Sequence, residues 1–362
     1  MDLDTSPILW YNRRSMTYRD FTPEYDPHIQ SLVDLSEDQW GDPEINRGNL
    51  VPYGISQFDQ ALYGMDITYG ELDLIIGPEK QRKTTMALNI IANYMSSPFP
   101  VEKPLTVIDT LESGMKPEKY KDSLLSIVST RWLMKRGHSP RNTCRACGSE
   151  QCREIGISPD FLRYNTRTAV QKAAIDYAIE TVREWPILIY GANLKQGDTR
   201  NLHKAMQSPE SRWPIIIQET GAKIFVTDHV QQYQLMQGVA SDYEKQIQAV
   251  GAVGDVVSQW NIVCLMLSQI SLTSIRDARN QSGKLIASGG SKAHQEANVI
   301  FSVSYKSGEG LMKMAIEEAR NASSFAVWQT IEDVSGSFYG ESKTSIDPTD
   351  KPIKEGQLTF DD

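Results

Sequence analysis

Gly77-Pro78-Glu79-Lys80-Gln81-Arg82-Lys83-Thr84-Thr85 follows an apolar run at 72–76 and leads into the helical pattern Met86-Ala87-Leu88. Strand, G-x-x-x-x-G-K-[ST], helix is an arrangement that cradles nucleotide phosphates. Backbone N–H groups wrap the anion at a helix N-terminus, a lysine reaches the β- and γ-phosphates, and a hydroxyl ligates Mg²⁺. Gly77, Lys83 and Thr84 stand at the diagnostic positions, and Arg82 stands where the second glycine is expected. A side chain at 82 either crowds the loop or gives the phosphates a further cation. The competing reading, an accidental Lys-Thr at a helix start, is opposed by the flanking strand and helix.

Other residues have types and positions that suit the same chemistry. An apolar run at 105–109 ends in Thr110-Leu111-Glu112. A carboxylate ending the strand beside the phosphate-loop strand could polarise a water against a γ-phosphate. An acid favoured by a helix dipole explains Glu112 equally well. The run at 223–227 ends in Asp228, the pattern of an acid that holds Mg²⁺ through water. The run at 262–267 ends in Ser268-Gln269, an amide that either senses a γ-phosphate or simply ends a buried strand. Residues 271–292 carry Arg276, Arg279, Lys284 and Lys292 against the single acid Asp277. That basic excess suits contact with nucleic-acid phosphates, and a solvated surface loop is the alternative.

His138, Cys144, Cys147 and Cys152 have the spacing H-x₅-C-x₂-C-x₄-C. A Cys₃His set of this kind can hold a structural zinc, with His203 as a substitute ligand; surface thiols without metal are the alternative. Around this insertion, 136–158, lie Arg131, Lys135, Arg136, Arg141, Arg145 and Arg153, a basic set that either touches nucleic acid or a partner or is a solvated loop. Cys264 lies in an apolar run and reads as core.

These residues need a scaffold, and the chain has the composition for one. Of 362 residues, 40% are hydrophobic and 23% charged, which excludes wholesale disorder, collagen and coiled coil. No run approaches the ~18 apolar residues of a membrane span. The acidic start Met1-Asp2-Leu3-Asp4 predicts no secretory signal. Uneven cysteine placement predicts a reducing, cytoplasmic setting rather than a disulfide framework. The formal net charge of −9 argues against a basic coat but not against a local nucleic-acid path.

Strands are predicted at 72–76, 105–109, 187–190, 223–227, 262–267, 299–305, 312–316 and 326–331. Helices are predicted at 84–96, 116–135, 168–184, 199–207, 210–221 and 243–260. Strands spaced by helices predict an α/β fold with a mainly parallel central sheet, ending in an antiparallel part where the last strands crowd together. Residues 1–50 read as an arm or linker, 51–340 as one ATPase-like domain with the cysteine insertion inside it, and 341–362 as a mobile tail.

In this order the pieces resemble the C-terminal motor domain of DnaB-family replicative helicases, within the RecA-like P-loop ATPase fold. The resemblance covers roughly residues 50–340. Tyr53-Gly54-Ile55, Phe58-Asp59 and Gly70-Glu71-Leu72 resemble the family's approach to its phosphate loop, and Glu112 with Met115 its "LEM". Asp228-His229-Val230-Gln231 is similar to "DYLQ", Leu267-Ser268-Gln269-Ile270-Ser271 to "LSQLSR", and Glu318-Ala319-Arg320-Asn321-Ala322 to "KNRNG".

The resemblance implies ATP and Mg²⁺ at residues 77–85 and Asp228, Glu112 as the base for water, and Gln269 as the link between γ-phosphate and DNA loop. It makes Arg320 an arginine finger for a neighbouring subunit's ATP. It implies a homo-oligomeric ring, a hexamer in the family, that moves on single-stranded DNA in replication, with a primase, loader or polymerase as further partner. Three positions depart from the pattern: Arg82 replaces a glycine, Glu318 replaces a trans-acting lysine, and Ala322 replaces a glycine. Only residues 1–50 precede the motor segment, so no separate helicase N-terminal domain is expected. A DNA-stimulated helicase ATPase is therefore the first reading. A catalytically weakened scaffold or DNA-binding subunit of a replication complex is the second, and a RecA-type recombinase the third.

Overall fold

The computed structural model describes residues 48–98, 100, 102–110, 117–137, 157–164, 167–191, 209–228, 242–270, 295–306, 310–332 and 335–345. Its strands are β1 (Leu50–Val51), β2 (Met65–Asp66), β3 (Glu71–Gly77), β4 (Thr106–Thr110), β5 (Ile187–Gly191), β6 (Ile224–Asp228), β7 (Val263–Gln269), β8 (Val299–Lys306), β9 (Leu311–Ala319), β10 (Phe325–Ile331) and β11 (Phe338–Ser345). Its helices are α1 (Ser56–Leu62), α2 (Lys83–Ser96), α3 (Pro117–Lys135), α4 (Pro159–Tyr164), α5 (Ala169–Arg183), α6 (Pro209–Thr220) and α7 (Asp242–Trp260).

β1 and β2 form a small antiparallel pair, and the other nine strands share one sheet in the order β11-β10-β9-β8-β3-β7-β6-β4-β5. β8, β3, β7, β6, β4 and β5 run parallel; β9, β10 and β11 continue the sheet antiparallel. The central strands are apolar runs because a parallel sheet is covered on both faces. Side chains alternate along β3. Leu72, Leu74 and Ile76 pack with Trp213 of α6 and Val250 and Val253 of α7, while Ile75 packs with Met86 and Ile90 of α2 and Tyr120 and Leu124 of α3. Cys264 is a buried free thiol in the first of these layers, as its apolar run implies.

Local chemistry sets the helix starts. α5 opens with a capping box: the Thr168 hydroxyl accepts from the Gln171 N–H, and the Gln171 side chain accepts from the Thr168 N–H. Before the phosphate loop, the Asp59 carboxylate accepts the N–H groups of Tyr53 and Gly54 at 2.7 and 2.9 Å. Asn93 donates to the carbonyls of the same two residues. Gly54 has φ +70°, and a Cβ there would fall inside the Asn93 side chain, so the turn requires glycine.

Sequence and structure differ in three respects. The strand that leads to Glu112, β4, is not beside β3: β7 and β6 lie between them, because β3 pairs with β7 and β8. β11 runs to Ser345, past residue 340 where composition predicts the tail to begin; its polar sequence, FYGESKTS, hides a strand that pairs on one side only with β10. α1, β1, β2 and α4 are absent from the sequence reading because each is too short to show a period. The helix expected at 199–207 lies outside the described residues.

Asp73 of β3 sits wholly inside the core, where its Oδ2 accepts the Tyr53 hydroxyl at 2.7 Å. Burial lifts its carboxyl to about 7, although the Tyr53 hydrogen bond pulls the other way. Burial and then the charge of Asp73 lift Glu71 as well. A carboxyl that stays protonated in the fold stabilises fully below its unfolded value near ~4, and the contribution is lost as pH rises through the folded value. Stability should therefore fall between about pH 4 and about pH 7. Asp73→Asn, which mimics the protonated group, should flatten that slope and be the more stable protein at pH 8 in urea unfolding. Equal slopes in the two proteins would mean that Asp73 is not the group responsible.

Candidate nucleotide-binding site

β3 delivers the chain to Gly77, and α2 takes it away from Lys83. A Cβ on Gly77 would come within 2.8 Å of the Val303 carbonyl of β8, so the close approach of that neighbour excludes any side chain. Residues 78–82 make the turn between strand and helix. Lys80 (φ 63°) and Arg82 (φ 64°, ψ 28°) both take left-handed backbone. At Arg82 this is the conformation that favours glycine, and a side chain costs roughly 1–2 kcal/mol there.

The Arg82 side chain does not crowd the loop interior. Its guanidinium lies 4.7 Å from the centroid of the Tyr305 ring on β8, a contact worth about 0.5–2 kcal/mol that offsets much of the backbone cost. Next to it, Gln81 Oε1 accepts the Tyr305 N–H at 2.5 Å. The two residues that end the loop are thus both docked on β8. Gly336, in the turn before β11, lies close to the Arg82 guanidinium and to Thr85. Glu79 and Lys80 form an exposed pair at 3.8 Å, and Pro78 accepts from the Gln81 N–H at 3.4 Å.

Lys83 is buried, and its Nζ donates to the carbonyls of Gly77 and Pro78 at 2.9 and 2.8 Å. Thr84, one residue on, donates its hydroxyl to Asp228 Oδ2 at 2.7 Å. Asp228 ends β6 and is fully buried. Gln269 ends β7 in register with Gly77, and the next N–H, that of Ile270, donates to the Gly77 carbonyl at 3.2 Å. Three strand ends from distant parts of the chain therefore meet at the N-terminus of α2. First-turn N–H groups of a helix lack intrahelical acceptors, so this is a position suited to an anion.

Tyr120 of α3 is a member of the site that the sequence reading missed. Its hydroxyl lies 2.9 Å from Asp228 Oδ2 and 3.0 Å from Thr110 Oγ1. Its proton goes to the carboxylate, and the Thr110 hydroxyl can donate in return. Asp228 is thereby held from two sides, by Thr84 and Tyr120. No sequence signal marks an aromatic residue one turn into a helix as the partner of an acid 108 positions away. Tyr120→Phe should cost about 1.5–3 kcal/mol in urea unfolding, the range for a hydrogen bond to a charged group. An unchanged midpoint would show that the hydroxyl does not hold Asp228.

Arg320 follows β9 and is exposed; its N–H donates to the Asn298 carbonyl and its Nη2 to the Gln295 carbonyl, both at 3.1 Å. Ala319 pairs with Val299, which pairs with Asp73, so Arg320 lies at the end of the sheet opposite Gly77. At ~3.3 Å per residue it is roughly 15 Å or more from this chain's own phosphate loop. Glu318 pairs with Ile300 one step inward.

The remaining predicted residues lie outside the described part of the chain. These are Glu112, the candidate zinc ligands His138, Cys144, Cys147, Cys152 and His203, and the basic residues Arg276, Arg279, Lys284 and Lys292. Among the described residues, no three His, Cys, Asp or Glu side chains converge on a point. Thr84 and Asp228 fit Mg²⁺, which typically takes one or two protein oxygens and completes its shell with water and phosphate.

No family model matches the sequence, and no curated protein matches it. Solved structures do. A DnaB-like replicative helicase, determined with its interactions with primase, superposes with a TM-score of 0.60 at 16% identity, covering 86% of this chain and 68% of that one. A second solved structure, an ATPase domain, gives 0.58 at 17% identity, covering 84% of this chain and 98% of that one. The protein has the RecA-like fold. In it the phosphate-loop strand lies between β7 and β8, with the antiparallel β9–β11 beyond. No helix among the described residues is long and apolar enough to cross a membrane.

Proposed function

We propose that the protein is an ATP-hydrolysing motor that assembles with copies of itself into a ring and moves along single-stranded DNA. The observation that carries this reading is the meeting of Lys83, Thr84 and Asp228 at one helix N-terminus, with Thr84 and Asp228 in contact at 2.7 Å across 144 positions of sequence. The helicase likeness of the fold supports it.

In this reading the first-turn amides of α2 and the Lys83 ammonium bind the β- and γ-phosphates, and the loop carbonyls that Lys83 now holds release it. Thr84 and Asp228 would hold Mg²⁺, which when bound neutralises charge on the phosphates. Glu112 takes a proton from the attacking water as ATP and water become ADP and phosphate. Gln269, beside Gly77, senses the γ-phosphate and passes its state to the segment at 271–292. Arg276, Arg279 and Lys284 in that segment meet DNA phosphates. Arg320 is too far from its own loop to act there, so its partner is the ATP of a neighbouring copy. A primase is a candidate partner because one helicase with this fold engages one.

Glu318 favours a second reading, a RecA-like scaffold with weakened catalysis, because it sets a negative charge two residues from the proposed finger. Steady-state ATP hydrolysis with and without single-stranded DNA separates the two. Turnover that rises with DNA supports the motor, and folded, oligomeric protein without turnover supports the scaffold.

A further inference from the structure

A cavity of about 490 Å³ lies between α2, α3, α5 and the β10–β11 edge. That size falls in the ~300–1,000 Å³ range of small-molecule sites. Asn93 on its wall is ten residues along α2 from Lys83, so the cavity is about 15 Å from the phosphate loop. Nothing in the proposed motor chemistry uses it.

Its chemistry is one-sided. Arg131 and Lys135 of α3 line it, and among the described residues that line it none is acidic. Arg131 is partly buried and donates from Nη2 to Asn89 Oδ1 at 2.9 Å. That acceptor is a neutral amide oxygen already shared with the Phe338 N–H. Burial lowers the guanidinium to about 10, so it stays charged at neutral pH. A charge withdrawn from water is normally paired with an opposite one, and a guanidinium has five N–H donors to satisfy.

The other wall is aromatic. Trp132 and Tyr177 lie with ring centroids 6.1 Å apart and planes at 36°. The Arg136 guanidinium sits 3.9 Å from the Trp132 ring centroid. Tyr177, 45% exposed, stands at the mouth.

We propose that this cavity binds a small organic anion carrying a planar ring, with a nucleoside monophosphate as the class that fits it. The phosphate lies against Arg131 and Lys135, and the ring stacks on the Trp132–Tyr177 side. Stacking on an aromatic face tolerates any base, so the site selects for the phosphate and the flat ring rather than for base identity.

The test is calorimetric titration of the full-length protein with AMP, dTMP and adenosine. AMP and dTMP should bind the wild-type protein and Lys83→Ala alike, and adenosine should bind at least about tenfold more weakly for want of the anion. Arg131→Met should narrow the difference between AMP and adenosine severalfold, leaving the part that Lys135 supplies. Tyr177→Ala changes an exposed side chain, so it should leave the fold intact and weaken both nucleotides several-fold. Should Arg131→Met fail to fold, the AMP-to-adenosine ratio and Tyr177→Ala still decide. Absence of AMP binding to the wild-type protein, equal binding of AMP and adenosine, or binding lost in Lys83→Ala and kept in Tyr177→Ala would each overturn the assignment. Because Lys83→Ala disables the proposed ATP site, failure of the motor reading and failure of this one give different results.

Discussion

Lys83→Ala is expected to lower steady-state ATP turnover by at least about 100-fold, or roughly 2.7 kcal/mol of transition-state stabilisation. The ammonium is buried and reaches the carbonyls of Gly77 and Pro78, so its stem already lies along the inside of the loop. A phosphate bound at the start of α2 meets that charge directly, and charge-assisted hydrogen bonds are about twice as strong as neutral ones. Alanine removes the charge and leaves the turn itself intact, because the loop is docked through Gln81 and Arg82 onto Tyr305. The variant should therefore keep its melting temperature within a few degrees. Turnover within tenfold of wild type would mean that the hydrolysis measured does not come from this site.

Asn89→Leu is expected to destabilise the fold by roughly 3–5 kcal/mol in urea unfolding. Asn89 is fully buried on α2 and makes four hydrogen bonds. Its Nδ2 donates to the carbonyls of Thr85 and Gly336, both at 2.8 Å, and its Oδ1 accepts from Arg131 at 2.9 Å and from the Phe338 N–H at 3.0 Å. Leucine has nearly the same shape but strands a carbonyl, an N–H and a guanidinium, each costing about 1–3 kcal/mol when left unmet. The turn at Gly336 that packs on Arg82 and Thr85 would lose its tie to the helix, so nucleotide affinity should fall as well. A loss below about 1 kcal/mol would show that water reaches these groups.

The central strands and the phosphate loop were legible in the chain because their signals are local. An apolar run bounded by Gly77 and followed by Lys83-Thr84 needs no distant residue to be recognised. Asp228 and Gln269 were legible as strand-end polar residues, whereas the role that the order of the motifs gives Arg320 is part of the proposed function. What escaped is held by distant contacts. Asn89 and Asn93 stand four apart in the largely apolar stretch that follows Thr85, which marks a polar stripe, but their partners lie across the fold at Gly336, Phe338 and Tyr53. Tyr120 and Tyr305 belong to the site only because α3 and β8 pass beside it. The place of β4, three strands from β3, is set by crossovers that strand and helix patterns do not encode. β11 was hidden because an edge strand needs little apolar patterning.

Arg82 is where local expectation and structure diverge most usefully. The residue that breaks the loop's pattern keeps the glycine-like backbone and spends its side chain on Tyr305, outside the phosphate cradle. The left-handed backbone cost and the cation–π gain are of similar size, so the substitution is close to neutral for the fold. Whether this loop binds nucleotide is decided by equilibrium titration of MgATP into the wild-type protein and Arg82→Gly. Both should bind saturably, with dissociation constants within about threefold of each other. Wild-type protein that fails to bind, beside an Arg82→Gly variant that binds well, would contradict this expectation.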